Sequence, residues 1–155
     1  MMSGARATAL LRVNLDRRFF LTVGVIFLIG LMPRLYSANT VGWNWDHPGQ
    51  FTLINFDEGG SCRAALGGFD YSPVVGWQTI GISSALGNPP AEGVFGNAVL
   101  SKAYCHSAEH IRVARNFSAV LGAFTPILLV MLALLLLPGE PKIALTAGFL
   151  LAVSG

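Results

Sequence analysis

Two adjacent acidic residues, Asp57 and Glu58, are the first candidates for chemistry in this sequence. They follow the apolar stretch Phe51 to Phe56 and precede the pair Gly59-Gly60. A carboxylate in an apolar setting has a raised pKa and can act as a general base. The same acids could instead stabilise the N-terminus of the next helix and stay solvated. Both roles remain open, and under the first Asp57 and Glu58 are the catalytic residues.

Four arginines provide the basic counterpart of this acidic pair: Arg34, Arg63, Arg112 and Arg115. A guanidinium group is well suited to binding phosphate or pyrophosphate, so all four are candidate phosphate-binding residues. Arg34 and Arg115 lie at the ends of two apolar runs, and the ends of adjacent membrane spans can meet in space. The alternative is that each arginine simply extends its side chain to lipid headgroups.

A third pattern, H-x-x-E-H, is formed by His106, Glu109 and His110. On one helix the two histidines would share a face, as a zinc site requires. The same pattern occurs in inverted zinc proteases, where the glutamate is the base. That class needs a further acidic ligand downstream, and here a hydrophobic run follows instead. A polar helical turn above the membrane is the simpler interpretation, and a divalent metal ion is the one cofactor that the pattern allows.

The two cysteines, Cys62 and Cys105, are too few for a disulfide-rich scaffold and match no metal-binding spacing. An oxidising exterior would permit a bond between them. Because the sequence does not fix their distance, we expect them to be unpaired.

The composition indicates that these residues are carried by a membrane protein. Hydrophobic residues make up 53% and charged residues 12% of the chain, against roughly 25% charged residues in soluble domains. The net charge of +2 leaves no broad basic surface for nucleic acid. We predict transmembrane helices at 19–36 and 117–137 and the start of a third at 143–155. Since that third run is too short to span, we expect a longer polytopic protein.

The orientation follows from the N-terminal tail, residues 1–18, which holds four arginines and one acid. Positively charged flanks stay cytoplasmic. The loop 37–114 is therefore predicted to lie outside, and 138–142 to be a cytoplasmic turn. A cleaved signal peptide would also have a basic start and a short apolar core. No small-residue cleavage site follows cleanly, and both interpretations place the loop outside.

We predict an all-α fold in which the outer loop consists of short juxtamembrane helices. The loop should contain helices at Asp57 to Leu66, Val74 to Leu86 and Asn97 to Ala114, with the last continuing into the second span. Gly-Gly, Pro-Pro and Gly-Asn pairs mark the turns between them. The loop is too glycine-rich to predict a separate soluble domain, so we expect it to pack against the outer ends of the spans.

Two segments resemble the GT-C type glycosyltransferases that use polyprenyl-phosphate sugars, the group of protein O-mannosyltransferases and lipid A aminoarabinose transferases. The first is Phe56-Asp57-Glu58, followed by the small-residue helix Ala64-Ala65-Leu66. The second is Arg115 leading into the small-residue run Asn116 to Thr125. The stretch Trp43 to Phe56 does not contribute to the likeness, and the later loops of that family are missing here.

The resemblance implies an inverting transferase in a multi-pass cell membrane protein, in the bacterial inner membrane with a cytoplasmic N-terminus. Asp57 would be the base, Glu58 its neighbour and Arg115 a phosphate or structural contact. The partners would be a polyprenyl-phosphate sugar donor and a lipid, glycan or protein acceptor, and this piece alone would be inactive. The alternatives are a non-enzymatic membrane protein, such as a transporter subunit or scaffold, and a metal-dependent hydrolase that uses the H-x-x-E-H residues.

Overall fold

The computed structural model describes residues 16–47, 49–53, 59–68 and 72–154. Over these ranges the regular secondary structure is entirely helical, apart from one isolated antiparallel bridge between Trp43 and Phe51. The six helices are α1 Arg17–Thr40, α2 Gly60–Ala65, α3 Val74–Ala85, α4 Ala98–Cys105, α5 Ala108–Leu136 and α6 Pro141–Ser154.

Two helices, α1 and α5, are long and apolar enough to cross a membrane, with mean hydropathies of 1.9 and 2.6 in their most apolar windows. The helix α1 begins after Asp16, whose carboxylate accepts a hydrogen bond from the Phe19 amide at 2.9 Å, as a helix-capping residue does. In α5 every charged residue precedes Phe117. The charge-free part from Phe117 to Leu136 is therefore its candidate membrane-spanning segment.

Among the loop helices, α3 agrees with the helix predicted from the sequence, whereas the helices before and after it differ from the predicted ones. The predicted helix Asn97 to Ala114 is interrupted at His106 and Ser107. Ser107 starts a new helix, because its hydroxyl accepts a hydrogen bond from the His110 amide at 3.3 Å and so caps α5. The helix α2 covers the later part of the predicted segment, whose first residues lie outside the described ranges.

The chain divides into two compact units, which we call the apolar unit (up to Leu35 and from Ala119 onward) and the loop unit (Tyr36–Ser118). In the apolar unit, α6 buries Ala144, Gly148 and Ala152, one residue every fourth position. Stripes of small residues with this spacing let membrane helices approach closely. At Gly148 a side chain would collide with Val130 of α5, so the stripe brings these two helices together.

The loop unit has a core built on a disulfide between Cys62 and Cys105, so our expectation of two unpaired cysteines was wrong. The bond joins α2 to the last residue of α4, with the two Cα atoms 5.7 Å apart. The buried residues around it are Ala65, Leu66, Ile80 and Val94. In the chain-entropy model, closing a loop of this length stabilises the fold by about 4 kcal/mol. This bond gives the loop its own compact structure despite its glycine content.

A close contact between α2 and α3 depends on Gly76. A Cβ atom at this position would overlap the backbone carbonyl of Ser61, which is part of α2 and cannot move independently of it. Gly81, on the same helix, has open space at the corresponding position. Substituting each glycine by alanine therefore distinguishes the effect of packing at Gly76 from the effect of helix propensity at Gly81.

We predict that Gly76→Ala destabilises the loop unit by about 1 to 3 kcal/mol, because the methyl group overpacks the α2–α3 contact. Its control, Gly81→Ala, should instead stabilise the unit by about 0.5 to 1 kcal/mol through helix propensity. Denaturant unfolding of both variants in detergent micelles measures the difference. Equal effects of the two substitutions would show that α2 and α3 do not touch at Gly76.

Candidate functional site in the loop unit

The side chain of Arg115 holds two separate backbone segments of the loop unit. It projects from α5 and is only 9% exposed. Its Nη1 donates to the carbonyl of Val41 at 2.9 Å, and its Nη2 donates to the carbonyl of Thr52 at 3.2 Å. Val41 directly follows α1, and Thr52 lies past the next turn, so one guanidinium fixes both ends of the segment 41–52.

An aromatic pair, Trp43 and Phe51, lies beneath this guanidinium. The two rings are 5.1 Å apart and belong to the residues of the isolated bridge. The Trp43 indole nitrogen donates to the carbonyl of Ala38 at 2.9 Å, which fixes the ring against the end of α1. The guanidinium carbons of Arg112 and Arg115 lie 4.8 and 5.3 Å from the Trp43 ring centroid. We call Trp43, Phe51, Arg112 and Arg115 the arginine–tryptophan clasp.

A second contact beside the clasp joins α1 and α5 within the loop unit. The Asn39 Nδ2 donates to the Asn116 Oδ1 at 2.7 Å, and the Asn116 Nδ2 donates back at 3.4 Å. The reciprocal amide pair and the Arg115 hydrogen bonds act on the same two helix ends. Together they fix the base from which the rest of the loop extends.

The turn between the two clasp aromatics is also ordered by side-chain hydrogen bonds. The Asn44 Oδ1 accepts from the amides of Asp46 at 3.0 Å and His47 at 3.3 Å. Such bonds mimic a backbone turn and explain why asparagine suits this position. The turn leaves Trp45 largely exposed. An exposed indole next to exposed polar groups is a surface suited to binding a ligand or partner.

The four predicted phosphate-binding arginines have different surroundings. Arg112 and Arg115 come together over Trp43, and of these two Arg115 is buried while Arg112 is exposed. Arg63 lies on α2 next to the bonded Cys62. Arg34 belongs to the apolar unit, where its Nη1 donates to the Gly30 carbonyl. Arg115 therefore has a structural function, and Arg112 is the clasp cation that faces the surface.

The metal interpretation of H-x-x-E-H required both histidines on one helix, and this premise was wrong. His106 directly follows the end of α4, whereas His110 lies in the first turn of α5. The intervening Ser107 caps α5 and breaks the helical register between them. Within the described ranges, no three histidine, cysteine, aspartate or glutamate side chains converge on a point where a metal could bind.

His110 is instead part of the interior of the loop unit. Its Nε2 lies 3.5 Å from the Thr79 Oγ1, and its ring is 5.1 Å from the ring of Tyr104. Burial, and to a lesser degree the nearby charge of His106, lower the pKa of His110 to about 4. The imidazole is therefore neutral at physiological pH. Its Nδ1 is buried without a hydrogen-bond partner.

The predicted catalytic pair, Asp57 and Glu58, lies outside the described residues. The residue that follows it, Gly59, is described and has a φ of 82°, a left-handed conformation that favours glycine. A Cβ atom here would lie 2.7 Å from the His106 ring and 3.0 Å from the Cys105 carbonyl. The chain directly after the acidic pair is thus packed on the disulfide-bonded turn.

Trp43 and Phe51 were not among the predicted site residues, because the stretch Trp43 to Phe56 does not contribute to the family likeness. A signal was present: aromatic residues at both ends of a short segment with Asn, Pro and Gly are typical of a paired turn. The partnership with Arg115 had no comparable signal, because it joins residues that are distant in sequence.

The sequence matches no protein-family model, no curated protein and no solved structure. We therefore infer the function from the loop unit and from the two long apolar helices of the chain.

We predict that Arg115→Ala destabilises the loop unit by about 3 to 5 kcal/mol, because two charge-assisted hydrogen bonds are lost and two carbonyls lose their donor. The matched control is Arg112→Ala, which removes one exposed cation–π contact and should cost about 1 kcal/mol or less. Unfolding in detergent micelles, followed by tryptophan fluorescence, measures both. If the two variants were equally stable, Arg115 would not be the residue that holds the segment 41–52.

Proposed function

We propose that this protein is a multi-pass membrane glycosyltransferase of the GT-C type, which moves a sugar from a polyprenyl-phosphate donor to an acceptor outside the membrane. One observation carries the proposal. The acidic pair Asp57-Glu58 directly precedes Gly59, whose backbone is packed on the Cys62–Cys105 turn. In the sequence, the two carboxylates lie in the loop between two helices long enough to cross a membrane.

Several features support the membrane part of the proposal. In the most apolar windows of α1 and α5, only 11% and 28% of the residues are buried inside the protein. Many of the remaining apolar side chains are exposed, and lipid is the environment in which such an apolar surface is stable. The small-residue stripe of α6 suits the same environment. A disulfide persists in an oxidising compartment, which favours an external loop, and the basic tail favours a cytoplasmic N-terminus of an inner-membrane protein.

The chemistry requires a base and a cation. A carboxylate, Asp57 in this proposal, removes the proton from the acceptor hydroxyl. The resulting oxygen attacks the anomeric carbon from the face opposite the phosphate, the bond from that carbon to the phosphate oxygen breaks, and the configuration inverts. The polyprenyl phosphate leaves with the bonding electrons, and a guanidinium stabilises its negative charge. The exposed Arg112 is the clasp residue suited to this contact, and Arg115 positions it through the shared Trp43 ring.

A non-enzymatic scaffold is the second candidate. The observation that favours it is a disulfide-closed loop unit that displays an exposed Trp45 on an ordered turn. Exposed tryptophans are common in protein-binding surfaces. A scaffold requires neither acid of the pair, so substitution of Asp57 distinguishes the two functions.

We predict that Asp57→Asn in the full-length protein lowers sugar transfer by a factor of about 10² to 10⁴, the usual effect of removing a general base. Membrane insertion and the Cys62–Cys105 bond should be unchanged. Transfer is measured with a polyprenyl-phosphate sugar and normalised to folded protein. Glu58→Gln should have the milder effect.

The matched control is Asp46→Asn, which removes an exposed acid from the same unit and should leave transfer unchanged. Near-normal transfer by Asp57→Asn would remove the assignment of the base. If the unsubstituted full-length protein showed no transfer from any polyprenyl-phosphate sugar, the scaffold would be the better account.

A further inference from the structure

The helix α3 buries two hydroxyl-bearing side chains and exposes several large apolar ones. Its buried residues are Gly76, Thr79, Ile80 and Ser83, which share one helical face. Two of them carry hydroxyl groups and are almost fully buried, at 2% exposure for Thr79 and 0% for Ser83. A surface helix in water normally buries its large apolar residues and exposes its polar ones. Here two of the polar residues point inward.

Except for the buried Ile80, the large apolar residues of α3 lie on the outside. Val74 is 63% and Trp77 52% exposed, and Ile82 is exposed as well. The Trp77 ring stacks on Phe95, which is also exposed, at a centroid distance of 6.4 Å. These four residues, which we call the α3 face, form a mainly apolar surface with two aromatic rings, on the same side of the helix as the exposed but uncharged Gln78. Surfaces of this kind on a folded unit mark contacts with a membrane or a partner.

The absence of charge distinguishes a contact with a membrane from a contact with a partner protein. The sequence from Tyr71 to Ala91 contains no charged residue, so none is present along the whole of α3. Protein-binding surfaces surround an apolar centre with a polar rim. An uncharged helix with outward-facing valine, isoleucine and tryptophan is better matched to the boundary between acyl chains and headgroups, where tryptophan is enriched.

The chain itself keeps α3 close to a membrane. The loop unit begins within α1 and ends within α5, so both of its ends are continuous with helices long enough to cross a bilayer. With α1 and α5 in a bilayer, the loop unit is tethered to lipid at both ends, whereas a soluble partner would have to be recruited.

We propose that α3 is an interfacial helix that docks on lipid through the α3 face, with Trp77 and Phe95 at the headgroup boundary. This inference concerns a lipid contact and does not depend on the transferase reaction. It requires only that α1 and α5 span the bilayer. The buried Thr79 and Ser83 are then on the protein side, where Thr79 donates to the Gly76 carbonyl at 3.1 Å and Ser83 to the Asn88 carbonyl at 3.3 Å.

The test uses tryptophan quenching in the intact chain, reconstituted into phosphatidylcholine vesicles whose acyl chains are brominated near the headgroup. The Trp77 signal is the difference between the native chain and Trp77→Phe. We expect bromine to quench this signal and aqueous iodide to leave it unchanged. Trp45→Phe is the matched control, since it removes an exposed tryptophan that is not on α3. Far-ultraviolet circular dichroism and the retained disulfide confirm that the variants are folded.

If iodide quenches the Trp77 signal and brominated lipid does not, α3 faces water and the inference is wrong. If neither quencher reaches Trp77, another protein surface covers the α3 face and the inference is equally wrong. Should Trp77→Phe fail to fold, Val74→Trp adds a fluorophore to the same face. Its added signal should then show the same quenching by lipid bromine.

Discussion

The hydrogen bonds from Arg115 to the carbonyls of Val41 and Thr52 are the interaction on which the loop unit depends most. A buried cation is costly unless its donors are used, and here backbone carbonyls accept from it while the Trp43 ring lies within 5.3 Å of its charge. Val41 and Thr52, which carry these carbonyls, both lie outside the helices. Removing the guanidinium would leave the segment 41–52 without these two hydrogen bonds to α5.

The disulfide provides the second constraint, and both of its cysteines lie in the sequence between Thr52 and Arg115. It ties α2 to α4, and Gly59, which precedes α2, packs on the bonded turn. The acidic pair is thus followed immediately by a fixed point of the backbone. This matters for the proposed reaction, since a general base must be held within hydrogen-bond reach of its substrate hydroxyl. The clasp fixes the base of the loop, and the disulfide fixes the segment next to the acids.

The parts of the fold that depend on local sequence were predictable. The apolar runs predicted α1 and α5, and the boundaries of α3 were close to those observed. The break at Ser107 was missed because a serine inside a helical pattern is ambiguous until its hydroxyl is seen to cap the next helix. The Cys62–Cys105 bond, the burial of His110 and the buried position of Arg115 all result from contacts between distant segments. The types of two residues that are distant in sequence do not reveal how far apart they lie in space. The assignment of Asp57 and Glu58 as catalytic residues stays a prediction.

The central claim is that Tyr36–Ser118 is a disulfide-closed unit on the outer side of the membrane, and the native cysteines test it most directly. Intact cells are treated with a membrane-impermeant maleimide, with and without prior treatment with an impermeant reductant. The account predicts that the unreduced chain takes up no label, even after denaturation, and that Cys62 and Cys105 are both labelled once the reductant has acted from outside. Labelling of the denatured, unreduced chain would contradict the disulfide. Labelling that requires lysis of the cells before reduction would contradict the outer location.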